Sequence, residues 1–259
     1  MKYKIEKNTV QETLIIPLYA RKVCSELYPN LYRDETAVRL IDEIDYDFSE
    51  AEKNSRGLMQ RFGSLEVAMR QNDLAFEVRD YLKSHPNAAV VNLGCGLDST
   101  GRSCDNGSCK IYNLDFPDVI AVRNELLPAG EREENIPCDL NNTEWFGKID
   151  SSNGAVFFAS GVFYYFLTEQ VKALVQGMAD AFPGGVLVFD AANRTAVKMI
   201  AKTWLKSAKI QDVGAYFAVS DAPQEISAWD SRLQVTSRGY MLGYTDLKDP
   251  SVSGFFRFL

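Results

Sequence analysis

Up to about residue 86 the apolar positions follow a helical rhythm, with none of the strict alternation that marks a half-buried strand. The clearest stretch runs from Leu65 to Leu82. There Leu74, Val78, Tyr81 and Leu82 fall at i, i+4, i+7 and i+8 and so share one helix face. Ser84-His85-Pro86-Asn87 ends it, because proline and the residue before it disfavour helical backbone.

From residue 88 the rhythm changes. Ala88 to Leu93 is a short valine-rich run between a turn and a glycine, which suits a strand buried on both faces. Lys110 to Phe116 is a second strand, Asn135 to Leu140 a weaker third, Ala155 to Ala159 a fourth and Val186 to Ala191 a fifth. Between the last two, Val171, Leu174, Val175, Met178, Ala179 and Phe182 recur at helical spacing. Thr168 is placed to cap that helix and Pro183-Gly184-Gly185 to stop it. Leu233 to Met241 and Gly254 to Leu259 read as two more strands. Strands alternating with helices predict an α/β fold: a parallel sheet covered on both faces. Residues 1–86 are expected to form a helical extension packed on a core of residues 87–259, in one structural unit.

Composition narrows the classes of partner. Hydrophobic residues make up 46% of the 259, enough for a sizeable core. Twenty-eight Lys and Arg against 35 Asp and Glu give a net charge of −7, which argues against nucleic acid as a partner, since phosphate neutralisation needs a basic footprint. The longest mostly apolar run, Ala155 to Leu167, is too short and broken to span a membrane, and the first residues lack the apolar core of a secretory signal. A soluble, cytoplasmic protein is expected. Five scattered cysteines do not suggest a disulfide framework. Cys104 and Cys109 bracket a loop, but a zinc site needs about four ligands, so free thiols and no metal are expected. The single histidine, His85, would have to serve any Ser-His-Asp or Cys-His arrangement from a turn.

Ligands of open α/β sheets bind outside the carboxyl ends of the strands. Those ends carry Gly94-Cys95-Gly96-Leu97-Asp98, Asp115, Asp139-Leu140, Ser160-Gly161 and Asp190. A dinucleotide would place its pyrophosphate at the helix after a G-x-G-x-x-G turn. Here the third glycine is Ser99, and Asp98 would repel phosphate. S-adenosylmethionine has no phosphate and carries a sulfonium cation and an ammonium, which tolerate nearby carboxylates. The missing glycine and added aspartate favour it over a nicotinamide cofactor.

The segments Asn92 to Asp98 (NLGCGLD), Asn113 to Pro128 (NLDFPDVIAVRNELLP), Phe157 to Phe166 (FFASGVFYYF) and Phe182 to Ala191 (FPGGVLVFDA) resemble the leucine carboxyl methyltransferase family, which includes tetracenomycin-type polyketide O-methyltransferases. Thr13 to Ala37 and Ala222 to Leu233 extend the likeness over most of the chain. The resemblance implies a class I methyltransferase fold: a Rossmann-like, mostly parallel seven-stranded sheet with an antiparallel C-terminal strand. It also implies cofactor contacts. Gly94 and Gly96 would pass under the amino-acid end of S-adenosylmethionine, and Arg70 would pair with its carboxylate, helped by Arg21 or Lys22. Asp115 would accept from the ribose hydroxyls, and Asp139 and Leu140 would hold the adenine. Ser160 stands where the family usually has a glutamate that contacts the methionine end.

The reaction that the resemblance implies is methyl transfer to oxygen by in-line displacement, with a small-molecule or peptide carboxylate, or a hydroxyl, as acceptor. A carboxylate is already ionised at pH 7 and needs no general base. Tyr19, Tyr164 and Tyr165 are candidates to line the acceptor pocket, with core packing as their alternative fate. Two other classes stay open: an adenosylmethionine-binding protein without turnover, which the Ser160 departure allows, and a nicotinamide-dependent oxidoreductase.

Overall fold

The computed structural model describes residues 2–5, 10–55, 57–200, 216–239, 244, 250, 252–254 and 256. A two-residue parallel pair, β1 (Tyr3–Lys4) and β2 (Ile44–Asp45), ties the N-terminal strand to the end of the second helix. Around it lie α1 (Val10–Leu27), α2 (Glu35–Glu43), α3 (Ser49–Ser55) and the 27-residue α4 (Leu58–Ser84). Then come β3 (Ala89–Leu93), α5 (Thr100–Ser103), β4 (Lys110–Asp115), α6 (Pro117–Leu126), β5 (Glu133–Pro137), β6 (Ala155–Ala159), α7 (Thr168–Ala181), β7 (Val186–Phe189), α8 (Arg194–Ile200) and α9 (Ala222–Ser227).

Strands β3 to β7 form one sheet in the order β5-β4-β3-β6-β7, with every pairing parallel. Its residues alternate between two apolar layers. Val91, Leu93, Tyr112, Leu114 and Phe157 pack beneath Trp145 and the apolar face of α7, Val171, Leu174, Val175 and Met178. Val90, Ile111, Val156 and Phe158 pack beneath Leu74, Val78 and Leu82 of α4. Each such side chain, fully buried, contributes about 1.5–3 kcal/mol relative to leaving it in water. The stretch with the clearest helical period in the sequence is therefore itself a wall of the sheet's core. Helices α1 and α2 pack Ile15, Leu18, Ala37, Leu40 and Ile41 onto Val122 and Leu126 of α6 and onto Leu97, which closes the N-terminal helices over the carboxyl edge.

Some expectations need correction. Among the described residues the main sheet has five strands. Leu233 to Gly239 carry no strand, and Gly254 and Phe256 are helical, while Tyr240, Met241, Phe255 and Arg257 to Leu259 lie outside the described residues. Apolar runs such as GFFRFL are too short for periodicity to separate strand from helix, and Phe256 meets its packing need against Phe62 near Leu65 and Met69. The weak third strand lies at Glu133–Pro137, earlier than expected, because its register is set by pairing with β4. Thr168 is the first residue of α7, and the end is closed by Gln170, whose side chain accepts from the Leu167 N–H at 2.8 Å.

Candidate active site

The strand order reverses between β3 and β6, the place where open α/β sheets leave a crevice. Register fixes what faces it. Leu93 pairs with Leu114 and with Ala159, and Ala159 pairs with Phe189. One residue further on, Gly94, Asp115, Ser160 and Asp190 therefore fall in one row along the carboxyl edge. Above that row is a cavity of about 440 Å³, roofed by α1 and walled by α4. Val67, Arg70 and Gln71 of α4 line it at i, i+3 and i+4, and Thr13, Pro17 and Arg21 of α1 at i, i+4 and i+8.

The floor is the glycine turn. Gly94 and Gly96 have φ of 64° and 46°, the left-handed region that side chains avoid. A Cβ on Gly94 would stand 2.6 Å from Val162 Cγ2, so the crevice stays open only with glycine there. Asp115 Oδ2 accepts from the Gly96 N–H at 2.7 Å and Oδ1 from the Phe116 N–H at 2.8 Å. Burial raises its pKa above the ordinary aspartate value, and those two amides oppose the shift. Arg123, 1% exposed on α6, braces the turn from below by donating through Nη1 to the Gly96 and Asp98 carbonyls, both at 2.8 Å.

Asp98 does something the bare motif did not reveal. Its Oδ1 accepts from the Thr100 N–H and hydroxyl, both at 2.7 Å, so its carboxylate occupies the first amide of the short α5, whose N-cap position is Ser99. Arg21 answers its charge: Nη1 lies 3.5 Å from Asp98 Oδ1, Nη2 donates to the Leu97 carbonyl at 3.0 Å and Nε faces Asp34 Oδ2 at 3.4 Å. The helix terminus that a pyrophosphate would need is filled by a carboxylate. Across the crevice, Arg70 Nη1 pairs with Asp190 Oδ2 at 3.1 Å, and Asp190 Oδ1 accepts from the Gly161 N–H at 2.6 Å.

Eight of the candidate residues line this one cavity: Arg21, Arg70, Gly94, Gly96, Asp115, Leu140, Ser160 and Tyr165. Three do not. Tyr19 stacks on Phe48 at 5.4 Å between centroids, and Tyr164 is 9% exposed in the packed turn before α7. Asp139 is exposed, and its Oδ1 accepts from the Asn141 N–H and Nδ2, both at 2.9 Å, so that Asn141 lines the cavity in its place. The sequence reading missed Gln71, Asn141 and Tyr216 on the wall and Arg123 beneath it. Only Arg123 left a signal, an arginine among Val119, Ile120, Val122 and Leu126 on a helix.

The cavity has little acid–base chemistry. His85 caps α4 at the opposite edge of the sheet, stacked on Tyr81. Burial pushes the Cys138 thiol up to about 12 and raises Cys95 as well, so neither supplies a thiolate at neutral pH. What the arrangement offers is shape, two arginines and fixed carboxylates.

A family model for leucine carboxyl methyltransferases matches residues 16–179, well over half of the chain. The chain belongs to the leucine carboxyl methyltransferase family. The match takes in every cavity-lining candidate named above. A tetracenomycin polyketide synthesis O-methyltransferase of Streptomyces glaucescens is 28% identical over 183 residues, covering 70% of this chain and 66% of that protein. An S-adenosylmethionine-dependent methyltransferase of Gibberella zeae is 25% identical over 258 residues, 93% of this chain and 85% of that one. Among solved structures, a Thermobifida fusca protein assigned as a methyltransferase shares the fold, with a TM-score of 0.57 at 19% identity over 92% of this chain and 91% of that one.

By family, then, this is an S-adenosylmethionine-dependent methyltransferase. The residues present fit that cofactor. The cradle at Gly94 and Gly96 admits a ligand against bare backbone, and the cavity's size suits a nucleoside with an amino-acid tail. The fixed Asp115 carboxylate can accept from hydroxyls, and the start of α5 after the glycine turn is occupied by the Asp98 carboxylate.

Proposed function

We propose that the chain methylates an oxygen of a small-molecule carboxylic acid. In this reading S-adenosylmethionine supplies an electrophilic methyl group on a sulfonium sulfur. Asp115 accepts from the ribose hydroxyls, Leu140 and Asn141 border the adenine, and Arg70 faces the carboxylate of the methionine end. Asp190 stands beside Ser160 in the edge row and brings a carboxylate to the place where Ser160 lacks one. That favours turnover over silent binding.

The observation that carries the choice of acceptor is the lack of a base. Neither histidine nor a low-pKa thiol faces the cavity among the described residues, and Asp115 is held by two backbone amides. A carboxylate needs no deprotonation at pH 7. The oxygen–methyl bond forms as the methyl–sulfur bond breaks, with the electron pair leaving on sulfur, and the protein contributes alignment, worth roughly 7–11 kcal/mol when the reacting atoms are held in line. Tyr165, Phe166 and Tyr216 form an apolar wall for the acceptor body. The Streptomyces glaucescens relative, named for O-methylation in polyketide synthesis, supports oxygen as the receiving atom. A net charge of −7 attracts strongly acidic acceptors poorly over distance, which favours a monoacid.

Methyl-labelled cofactor and a panel of carboxylic and phenolic acceptors test this directly. A methyl ester releases its label as methanol in mild alkali, and an aryl ether keeps it. Alkali-labile label on a carboxylic acceptor is expected. Label found only on phenols, stable to alkali, would overturn the carboxylate assignment. No transfer to any member of the panel would favour the silent binder.

A further inference from the structure

Arg123 is a buried cation with no anion in contact. It is 1% exposed on α6, and among the described residues no carboxylate lies within ion-pair distance of it. Every acceptor it meets is neutral: Nη1 donates to the Gly96 and Asp98 carbonyls, both at 2.8 Å, and Nε to Asn135 Oδ1 at 3.2 Å. Arginine only donates, so the oxygen of Asn135 faces it, and the Asn135 nitrogen turns to Asn124 Oδ1 at 2.8 Å. Asn113, the register partner of Asn135 on β4, donates to the same oxygen at 3.1 Å. Neutral dipoles hold a buried guanidinium but leave its charge uncancelled, which is costly unless an opposite charge stands near. Asp115 stands across a single residue. Gly96 gives its N–H to Asp115 Oδ2 at 2.7 Å while its carbonyl accepts from Arg123. Burial raises the Asp115 pKa, and the two amides and the Arg123 charge pull it back.

We infer that Arg123 is a positioning residue of the cofactor site: acting across Gly96, it keeps Asp115 charged and aimed at the ribose. The inference rests on the adenosylmethionine reading above. The turn from Gly94 to Asp98 holds two glycines with positive φ, and glycine backbone relaxes readily once unsupported. Arg123 ties two carbonyls of that turn to one rigid fork, so the Gly96 N–H stays pointed at Asp115. Charge and geometry come from the same guanidinium. The other titratable groups that face Asp115 do not take its place. Asp118 on α6 works against Arg123, and burial keeps the Cys95 and Cys138 thiols, after β3 and β5, protonated. Asp98 on the turn is paired with Arg21.

Calorimetry with S-adenosylhomocysteine on the full chain tests this as a double-mutant cycle. Arg123→Gln is expected to weaken binding about tenfold with Asp115 present and less than about twofold in Asp115→Asn, since effects within one network are not additive. In Arg123→Gln the acid limb of affinity should move up by about one pH unit, because loss of the cation lets Asp115 take its proton sooner. Arg123→Lys should leave that limb in place and weaken binding about threefold, since one ammonium does not replace the fork. Equal losses with and without the Asp115 carboxylate would mean that Arg123 only props the fold, and would overturn the inference. So would an unmoved acid limb, or unchanged affinity, in Arg123→Gln. Should Arg123→Gln fail to fold, Arg123→Lys takes its place in the cycle. A loss that vanishes in Asp115→Asn then supports the inference, and an equal loss overturns it. A wild-type chain that does not bind S-adenosylhomocysteine would instead bring down the cofactor reading on which the inference stands.

Discussion

Asp115 concentrates the opposing forces of the site in one side chain. Half-buried at the end of β4, it has its pKa raised by desolvation against the pull of the Gly96 and Phe116 amides, so its charged form is less favoured in the fold than in water. A carboxylate whose pKa is raised on folding favours the fold below its unfolded value and loses that contribution as pH rises through the folded one. In the proposed function ligand binding runs the other way, because the ionised carboxylate accepts from ribose hydroxyls more strongly than the neutral acid. Affinity for S-adenosylhomocysteine is therefore expected to fall on acidification, starting above the ordinary aspartate value of about 3.9. Asp115→Asn should weaken binding at least tenfold at neutral pH and flatten that acid limb. An unaltered acid limb in the variant would show that another group titrates. Asp115 was legible from its place after an apolar run. Asp98 was only half legible. Its sign was plain in the sequence, but whether it stands alone or beside Arg21, 77 positions away, depends on how α1 docks.

At the scale of elements, the turn after β3 decides whether the crevice exists. Gly94→Ala would strain the backbone by about 1–2 kcal/mol for a left-handed side-chain-bearing residue. It would also drive a methyl into Val162, at 2.6 Å from Cγ2, where overpacking costs about 1–3 kcal/mol more. The expected result is a Tm lower by several degrees, with ligand binding lost. Val162→Ala in the same chain should recover the steric part but not the backbone part. Full recovery, read by thermal denaturation, would mean that the positive φ is not required. While β5 and β7 at the sheet's edges are more exposed, strands β3, β4 and β6 were readable because they are buried on both faces and bounded by turns or glycine. The C-terminal segments were not, since a short apolar run fits a helix or a strand and tertiary packing chooses. Gln71 was invisible for a different reason. A glutamine on an amphipathic helix is ordinary, and only the fold brings it to the cavity wall.

Over the whole molecule, five parallel strands set a row of one-residue ends at the switch point, and the N-terminal helices close over it. The proposed function needs a ligand that is cationic at one end and free of phosphate, and the surroundings suit one: Asp98 and Asp190 are paired with Arg21 and Arg70, Asp115 is held by backbone amides, and the start of α5 is occupied by the Asp98 carboxylate. Parallel calorimetric titrations of the chain with S-adenosylhomocysteine and with NAD test this most directly. Saturable binding of S-adenosylhomocysteine at micromolar affinity or tighter, with no binding of NAD, is the predicted result. Saturable binding of NAD, with none of S-adenosylhomocysteine, would contradict it.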